Sequence, residues 1–168
     1  MADNVYLGNP NLKKANTPIE FTQEQIAEFI KCKRDPVYFA QNYVKIVSLD
    51  EGLVPFKPYD FQEKLINNFH ENRFNICKMP RQTGKSTTCV SYLLHYAVFN
   101  DSVNIGILAN KAATARELLG RLQTAYENLP KWMQQGIIAW NKGSLELENG
   151  SKILAASTSA SAVRGMSF

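Results

Sequence analysis

The segment Met79–Thr87, which reads Met-Pro-Arg-Gln-Thr-Gly-Lys-Ser-Thr, decides the expected fold of this chain. The apolar run at 73–78 predicts a strand that leads into the segment, and the apolar positions from Cys89 onward predict a helix that leaves it. A strand, a tight loop, Gly-Lys-Ser and a helix follow one another in the order of the Walker A motif, which binds phosphates. Met79 departs from that motif because it stands where a glycine is usual.

The side chains of this segment fit the chemistry of phosphate binding. Unpaired N–H groups at a helix start attract an anion, and Gly84 lets the backbone approach it. Lys85 would reach the β- and γ-phosphates, and the Ser86 hydroxyl would bind Mg²⁺. Arg81 would meet the charge that develops on the transferred phosphoryl group, so Arg81 and Lys85 are the predicted catalytic residues.

Gln62 lies on a predicted helix just upstream of the loop. A glutamine can pair with the edge of adenine through two hydrogen bonds, so Gln62 is a candidate for base recognition, although a surface position on the helix is the alternative. The predicted cofactor-binding residues are Gln62, Arg81, Gln82, Thr83, Gly84, Lys85, Ser86 and Thr87.

Length and composition indicate a globular chain. With 168 residues and 45% hydrophobic residues, it is large enough for about one domain with its own core. Its three cysteines lack the spacing of a zinc site and favour a reducing, intracellular setting. No apolar run is long enough to span a bilayer, so we expect no membrane partner. The net charge of +4 suits anionic ligands without specifying nucleic acid.

The first 57 residues are expected to form a strap and helices that pack on the ATPase core, which would occupy 58–168. The capping-box spacing of Thr22 and Gln25 predicts a helix at 23–33, and Asp35 with Pro36 begins another. The segment 48–55 is predicted to be a loop.

The second half alternates predicted strands and helices: a strand at 103–109, a helix from Lys111 to about Leu129, and a third strand at 136–140. Asn149-Gly150 predicts a hairpin between 144–148 and 151–156. This order predicts an α/β fold of the P-loop NTPase class, with a RecA-like, mostly parallel sheet and flanking helices.

A P-loop ATPase also needs an acidic motif at a strand end. The acidic residues after Lys85 are Asp101, Glu117, Glu127, Glu146 and Glu148. None ends a buried strand, and the alternating pattern predicts that Glu146 and Glu148 face solvent. We therefore expect the sheet to be incomplete at the C-terminus and the isolated chain to bind nucleotide with little turnover.

Several stretches together resemble one family. They are 8–16, 35–40, 59–62, 81–86, 106–111, 136–144 and 162–165. In this order they resemble the amino-terminal ATPase region of the large terminase subunit, the DNA-packaging motor of tailed double-stranded DNA bacteriophages. The resemblance covers nearly the whole chain, and the Arg-Gln-x-Gly-Lys form is the terminase variant of Walker A.

The resemblance implies ATP and Mg²⁺ as cofactors. Lys85 and Ser86 would bind phosphate and Mg²⁺, Arg81 would act on the γ-phosphate, and Gln62 would contact adenine. Lys57 stands where relatives can carry a second glutamine. The Asp-Glu motif of the family would follow just past Phe168, and its nuclease domain would be absent here.

The family also implies partners: double-stranded DNA, the portal protein and the small terminase subunit. The motor would be a homo-oligomeric ring in the host cytoplasm, at the portal vertex of the procapsid. Two alternatives remain at this stage. One is a DNA helicase or other translocase with the same glutamine and loop, and the other is the truncated product of an interrupted gene that binds nucleotide or misfolds.

Overall fold

The computed structural model describes residues 4–48 and 50–158 as a mixed α/β structure. Its helices are α1 (Gln23–Arg34), α2 (Pro36–Tyr43), α3 (Asp60–Glu71), α4 (Lys85–Phe99) and α5 (Ala112–Glu127). Its strands are β1 (Val5–Tyr6), β2 (Asn9–Lys13), β3 (Lys45–Ser48), β4 (Gly52–Pro55), β5 (Asn104–Ala109), β6 (Ile137–Trp140), β7 (Ser144–Leu147) and β8 (Lys152–Ser157).

Local capping signals set the starts of the first two helices. The Thr22 hydroxyl accepts from the Gln25 N–H at 3.2 Å, and the Gln25 side chain accepts from the Thr22 N–H at 3.0 Å. Asp35 accepts from the Tyr38 N–H at 2.9 Å, with Pro36 in the first turn of α2. These bonds satisfy helix donors that would otherwise lack a partner, and both predicted helices are confirmed.

The main sheet has four strands in the order β5-β8-β7-β6. Only β5 and β8 are parallel, with Asn104 opposite Lys152 and Ala109 opposite Ser157. The other two pairs are antiparallel, and Gly150, with φ of 82°, makes the β7–β8 turn. The predicted mostly parallel sheet is therefore wrong for the described residues. Short turns join β6 to β7 and β7 to β8, and a short turn reverses the chain direction, so the joined strands must be antiparallel.

The predicted strand at 73–78 is also absent from the structure. Phe74 is 83% exposed and Ile76 is fully exposed. A strand is stable only when its N–H and C=O groups pair with a neighbour. No strand of the described chain is hydrogen-bonded to this segment, although β5 is an edge strand of the sheet. The predicted strand is therefore wrong for the described residues, because the pairing that would make this segment a strand is missing.

A second correction concerns 48–55, which was predicted to be a loop. Strands β3 and β4 form a two-stranded hairpin, with Ile46 opposite Val54 and Ser48 opposite Gly52. Gly52 has φ of 73°, a left-handed conformation that suits glycine. The hairpin places Ile46 and Val54 beside the start of α4, where they contribute to the candidate site.

The core lies between the helices and the sheet, with α5 packed on α4, β5 and β8, and α2 and α3 packed on α4. The largest fully buried side chains are Tyr126, Phe39, Leu12, Ile66, Leu94, Leu119, Leu122, Met133, Ile137, Leu145, Leu147 and Ile153. Across 4–48 and 50–158, the helices are too short or too polar to cross a bilayer.

A strap, residues 4–16, crosses the β6 end of the sheet. Buried Gln134 holds it by accepting from the Lys13 N–H at 3.0 Å and donating to the Asn11 carbonyl at 2.9 Å. Glu148 accepts from the N–H groups of Asn16 and Gly136, both at 2.8 Å, and pairs with Lys13 at 3.2 Å. Glu148 was predicted to face solvent, which is wrong, because the strap covers its carboxylate.

Candidate functional site

The candidate phosphate loop, residues 79–87, ends at the start of α4 as the sequence predicted. Gly84 is the N-cap of α4 with φ of 72°, and Gln82 also has a positive φ of 62°. No side chain caps this helix. The first turn begins with the Thr88 N–H and hydroxyl, which both donate to the Gly84 carbonyl at 2.9 and 3.0 Å. The N-terminal N–H groups and the positive end of the α4 dipole therefore face the loop.

Lys85 folds back over the loop. Its ammonium donates to the Met79 carbonyl at 3.1 Å and also to the Pro80 carbonyl. The Thr83 hydroxyl donates to the same Pro80 carbonyl at 3.0 Å. The loop is thus held closed by its own lysine. The Lys85 ammonium binds the two carbonyl oxygens whose place a phosphate ligand would have to take.

The remaining loop side chains are accessible. Arg81, Gln82 and Ser86 are exposed, while Thr87 is half-buried. Neither Arg81 nor Ser86 has a side-chain hydrogen bond or an ion pair to any other residue that the structure describes. The guanidinium and the hydroxyl are both available to a ligand at this helix start.

Gln62 is only 4% exposed and lies in the first turn of α3. Its Oε1 accepts from the Tyr59 N–H at 2.9 Å, and its Nε2 donates to the Thr83 carbonyl at 3.4 Å. The structure therefore brings Gln62 into contact with the candidate phosphate loop. One lone pair on Oε1 and one N–H on Nε2 remain for a further partner.

A cavity of about 410 Å³ opens between the hairpin, α3 and the loop. Its lining comprises Ile46, Glu51, Val54, Pro55, Phe56, Lys57, Tyr59, Gln62, Gly84 and Thr87. The apolar wall from the hairpin was missed by the sequence reasoning. The signal for it was two short runs with β-branched residues at 45–48 and 52–55, separated by three residues, with Gly52 at the start of the second run.

Most acidic residues after Lys85 are engaged with other groups. Glu117 pairs with Arg121 at 2.6 Å and Glu146 pairs with Lys152 at 2.9 Å, while Glu148 holds the strap. Asp101 follows the far end of α4, a helix of 15 residues that spans about 22 Å. Among the described residues, Lys85 bonds to two carbonyl oxygens and forms no ion pair with a carboxylate.

Cys89 lies in the second turn of α4, close to the loop, and could be mistaken for a nucleophile. Burial raises the pKa of its thiol, with a smaller contribution from Cys77. A raised pKa keeps the group in the unreactive thiol form, so Cys89 is a packing residue. Among residues 4–48 and 50–158, no three or more His, Cys, Asp or Glu side chains cluster as metal ligands would. The predicted segment Ala162–Gly165 lies outside the described residues.

The described residues form a mixed α/β domain with a glycine-capped helix start beside a cavity. Within this α/β class, the family model described as the N-terminal region of the terminase large subunit, T4-like virus type, matches residues 76–168. The match covers more than half of the 168 residues. The chain belongs to this family of large terminase subunits.

A solved structure supports the fold. The large terminase of bacteriophage HK97 superposes with a TM-score of 0.64 at 19% sequence identity, over 80% of this chain. At that identity the likeness concerns the fold alone. The chain spans 29% of the length of the HK97 protein.

Proposed function

We propose that this chain binds ATP with Mg²⁺ through the candidate phosphate loop and the cavity beside it. The observation that carries this proposal is the backbone at the start of α4, where Gln82 and Gly84 both adopt left-handed conformations around Thr83. Left-handed residues in a turn bring successive N–H groups into one concavity, which is a binding site for anions. The α4 dipole adds positive potential at the same place.

The side chains have separate roles in this proposal. The Lys85 ammonium leaves the Met79 and Pro80 carbonyls and binds the β- and γ-phosphates. Ser86 holds Mg²⁺, a cation that accepts one or two protein ligands and completes its shell with phosphate oxygens and water. Bound Mg²⁺ would neutralise charge on the phosphates. Arg81 is available for the γ-phosphate, and the cavity beside Gln62 receives the base.

Family membership extends the proposal to the whole protein. A longer large terminase subunit would hydrolyse ATP to move double-stranded DNA into a procapsid, and a nuclease domain would cut the concatemer. The portal protein, the small terminase subunit and further copies of the chain in a ring would be its partners, at the procapsid in the host cytoplasm. The family match favours this reading over a helicase.

Isothermal titration with ATP and Mg²⁺ tests the binding proposal. Lys85→Ala removes a charge-assisted contact to phosphate, so its Kd should rise about ten- to a hundredfold. Lys142→Ala changes an exposed lysine in the turn between β6 and β7 and serves as the matched control. If the folded wild-type chain binds no ATP, or if both variants bind like wild type, the loop is not a nucleotide site.

A phosphate-release assay tests the role of the missing carboxylate. Because Glu117, Glu146 and Glu148 are paired with cations and Asp101 lies at the far end of α4, the isolated chain should bind ATP without appreciable turnover. Rapid hydrolysis that Lys85→Ala abolishes would contradict this expectation.

A further inference from the structure

Gln62 faces the candidate phosphate loop directly, in addition to lining the cavity for the base. We infer that Gln62 is a positioning residue for the loop, which holds the Thr83–Gly84 peptide in the orientation that binds phosphate. This inference rests on the proposed function, since it concerns the same ATP site. It differs from base recognition because it predicts an effect on a ligand that has no base.

The hydrogen bonds of the Gln62 amide fix which end faces the loop. Its Oε1 is held by the Tyr59 N–H at 2.9 Å, at the start of α3. Its Nε2 must then point the other way, where it donates to the Thr83 carbonyl at 3.4 Å. With the side chain only 4% exposed, water does not compete freely for either bond.

Gly84 makes the contact between Gln62 and the loop close. A Cβ built on Gly84 would lie 2.4 Å from the Nε2 of Gln62, a distance that real side chains do not tolerate. The loop therefore rests against the amide with no atom between them. A movement of Gly84 toward α3 would therefore push against the Gln62 amide.

Peptide planarity carries this restraint to the phosphate-binding group. The Thr83 carbonyl and the Gly84 N–H belong to one rigid trans peptide, so fixing the direction of the carbonyl also fixes the direction of the N–H. A base that binds the remaining hydrogen-bonding capacity of Gln62 acts on the same amide. Base recognition and phosphate affinity are thereby coupled through one side chain.

Inorganic tripolyphosphate with Mg²⁺ is the probe that separates the two roles. Gln62→Met keeps the neutral charge and approximate volume but removes both hydrogen-bonding ends. Gln123→Met on α5 is the matched control, because it removes an amide that donates to the Asn141 carbonyl at 2.9 Å, outside both the loop and the cavity. The control variant thus loses an exposed side-chain-to-backbone bond of the same kind.

Titration should give a tripolyphosphate Kd about three- to tenfold higher for Gln62→Met than for wild type, as expected for one lost hydrogen bond. The Kd of Gln123→Met should stay within twofold of wild type, even if both variants melt at lower temperature. Backbone amide resonances of Thr83, Gly84 and Lys85 should shift in Gln62→Met and stay in place in Gln123→Met. A purely structural role for Gln62 would not separate the two variants in this way.

Two results would overturn the inference. If Gln62→Met binds tripolyphosphate like wild type and only loses its preference for ATP over GTP, Gln62 contacts the base alone and the ATP site stands. If folded wild-type protein binds neither ATP nor tripolyphosphate, the proposed function fails and this inference fails with it.

Discussion

Replacing Glu148 with glutamine should destabilise the chain more than its exposed surroundings suggest. The carboxylate accepts two backbone N–H bonds of 2.8 Å, from Gly136 and Asn16, and pairs with Lys13 at 3.2 Å. In Glu148→Gln one of these N–H groups meets an amide NH₂ in place of an oxygen. The Gly136 N–H is half-buried and the Asn16 N–H is exposed. A hydrogen bond to a charged group contributes about 1.5–3 kcal/mol, and the ion pair adds about 1 kcal/mol or less.

The expected loss in unfolding free energy is therefore about 2–3 kcal/mol, or roughly 5–10 °C in Tm for a chain of this size. Glu146→Gln is the matched control, because Glu146 pairs with Lys152 on the open face of the sheet. The Glu146 carboxylate forms no hydrogen bond or ion pair with the described strap residues, so its loss should cost less than about 1 kcal/mol. Urea denaturation followed by tryptophan fluorescence at pH 7 measures both values.

The dependence on pH gives a second test of Glu148. Burial raises the pKa of this carboxyl, but the N–H groups of Asn16 and Gly136 and the Lys13 ammonium outweigh burial and hold the pKa below its usual 4.5. A lowered folded-state pKa means that the stabilisation is present above about pH 4.5 and is lost as the pH falls through the folded-state value. The difference between wild type and Glu148→Gln should shrink on acidification. A loss no greater than that of Glu146→Gln, or a difference that grows in acid, would refute the reasoning.

Three further predictions follow from buried and exposed groups. Burial lowers the pKa of His95 to about 4, so protonation favours the unfolded chain. The free energy of unfolding should therefore fall by about 2 kcal/mol from pH 7.5 to pH 5. His95→Phe should flatten this pH dependence in urea titrations. Exposed Cys77 should react with a thiol reagent in the folded chain. Cys32 should react only after unfolding, because it is 0% exposed and burial raises its pKa to about 12. Mass spectrometry identifies the order in which the two cysteines react. Gly84→Ala should weaken ATP binding by titration, because the new Cβ would lie 2.4 Å from the Gln62 Nε2 and because the φ of 72° is a left-handed conformation that disfavours alanine.

Features encoded by neighbouring residues could be predicted from the sequence. The capping bonds of Thr22 and Asp35 join residues three apart, so their spacing alone predicts α1 and α2. The Asn149-Gly150 turn is equally local, and the hairpin between β7 and β8 follows from it. The loop at 79–87 and the helix after it belong to the same group.

Features that depend on distant pairing could not be read in the same way. The apolar run at 73–78 has the composition of a strand, but composition does not supply a neighbour to pair with it. Glu148 continues an alternating pattern that predicts solvent exposure, yet its partner Asn16 lies 132 residues earlier. The sheet was predicted as mostly parallel because strands and helices alternate, although the short turn at Asn149 already required an antiparallel pair.

The candidate site likewise combines features set by neighbouring residues with features set by contacts between distant residues. Periodicity and the helix start indicate Gly84, Lys85 and Ser86 as neighbours at one end of α4, and the structure places them there. The contact between Gln62 and the Thr83 carbonyl joins residues 21 apart and comes from the packing of α3 on α4. The hairpin wall of the cavity was missed because its two strands are short and only half-buried.

The strap has a consequence for the order of events on the ribosome. It emerges before the residues that hold it, because Gln134 and Glu148 follow 121 and 132 residues after their partners. At about 5–20 residues per second, the strap must wait roughly 10 seconds for these anchors to be synthesised. The helices from α1 to α5 can associate during that interval, so the strap docks after them. A nascent chain arrested before Glu148 would therefore leave the strap open to proteases and chaperones, whereas a chain that contains Glu148 protects it.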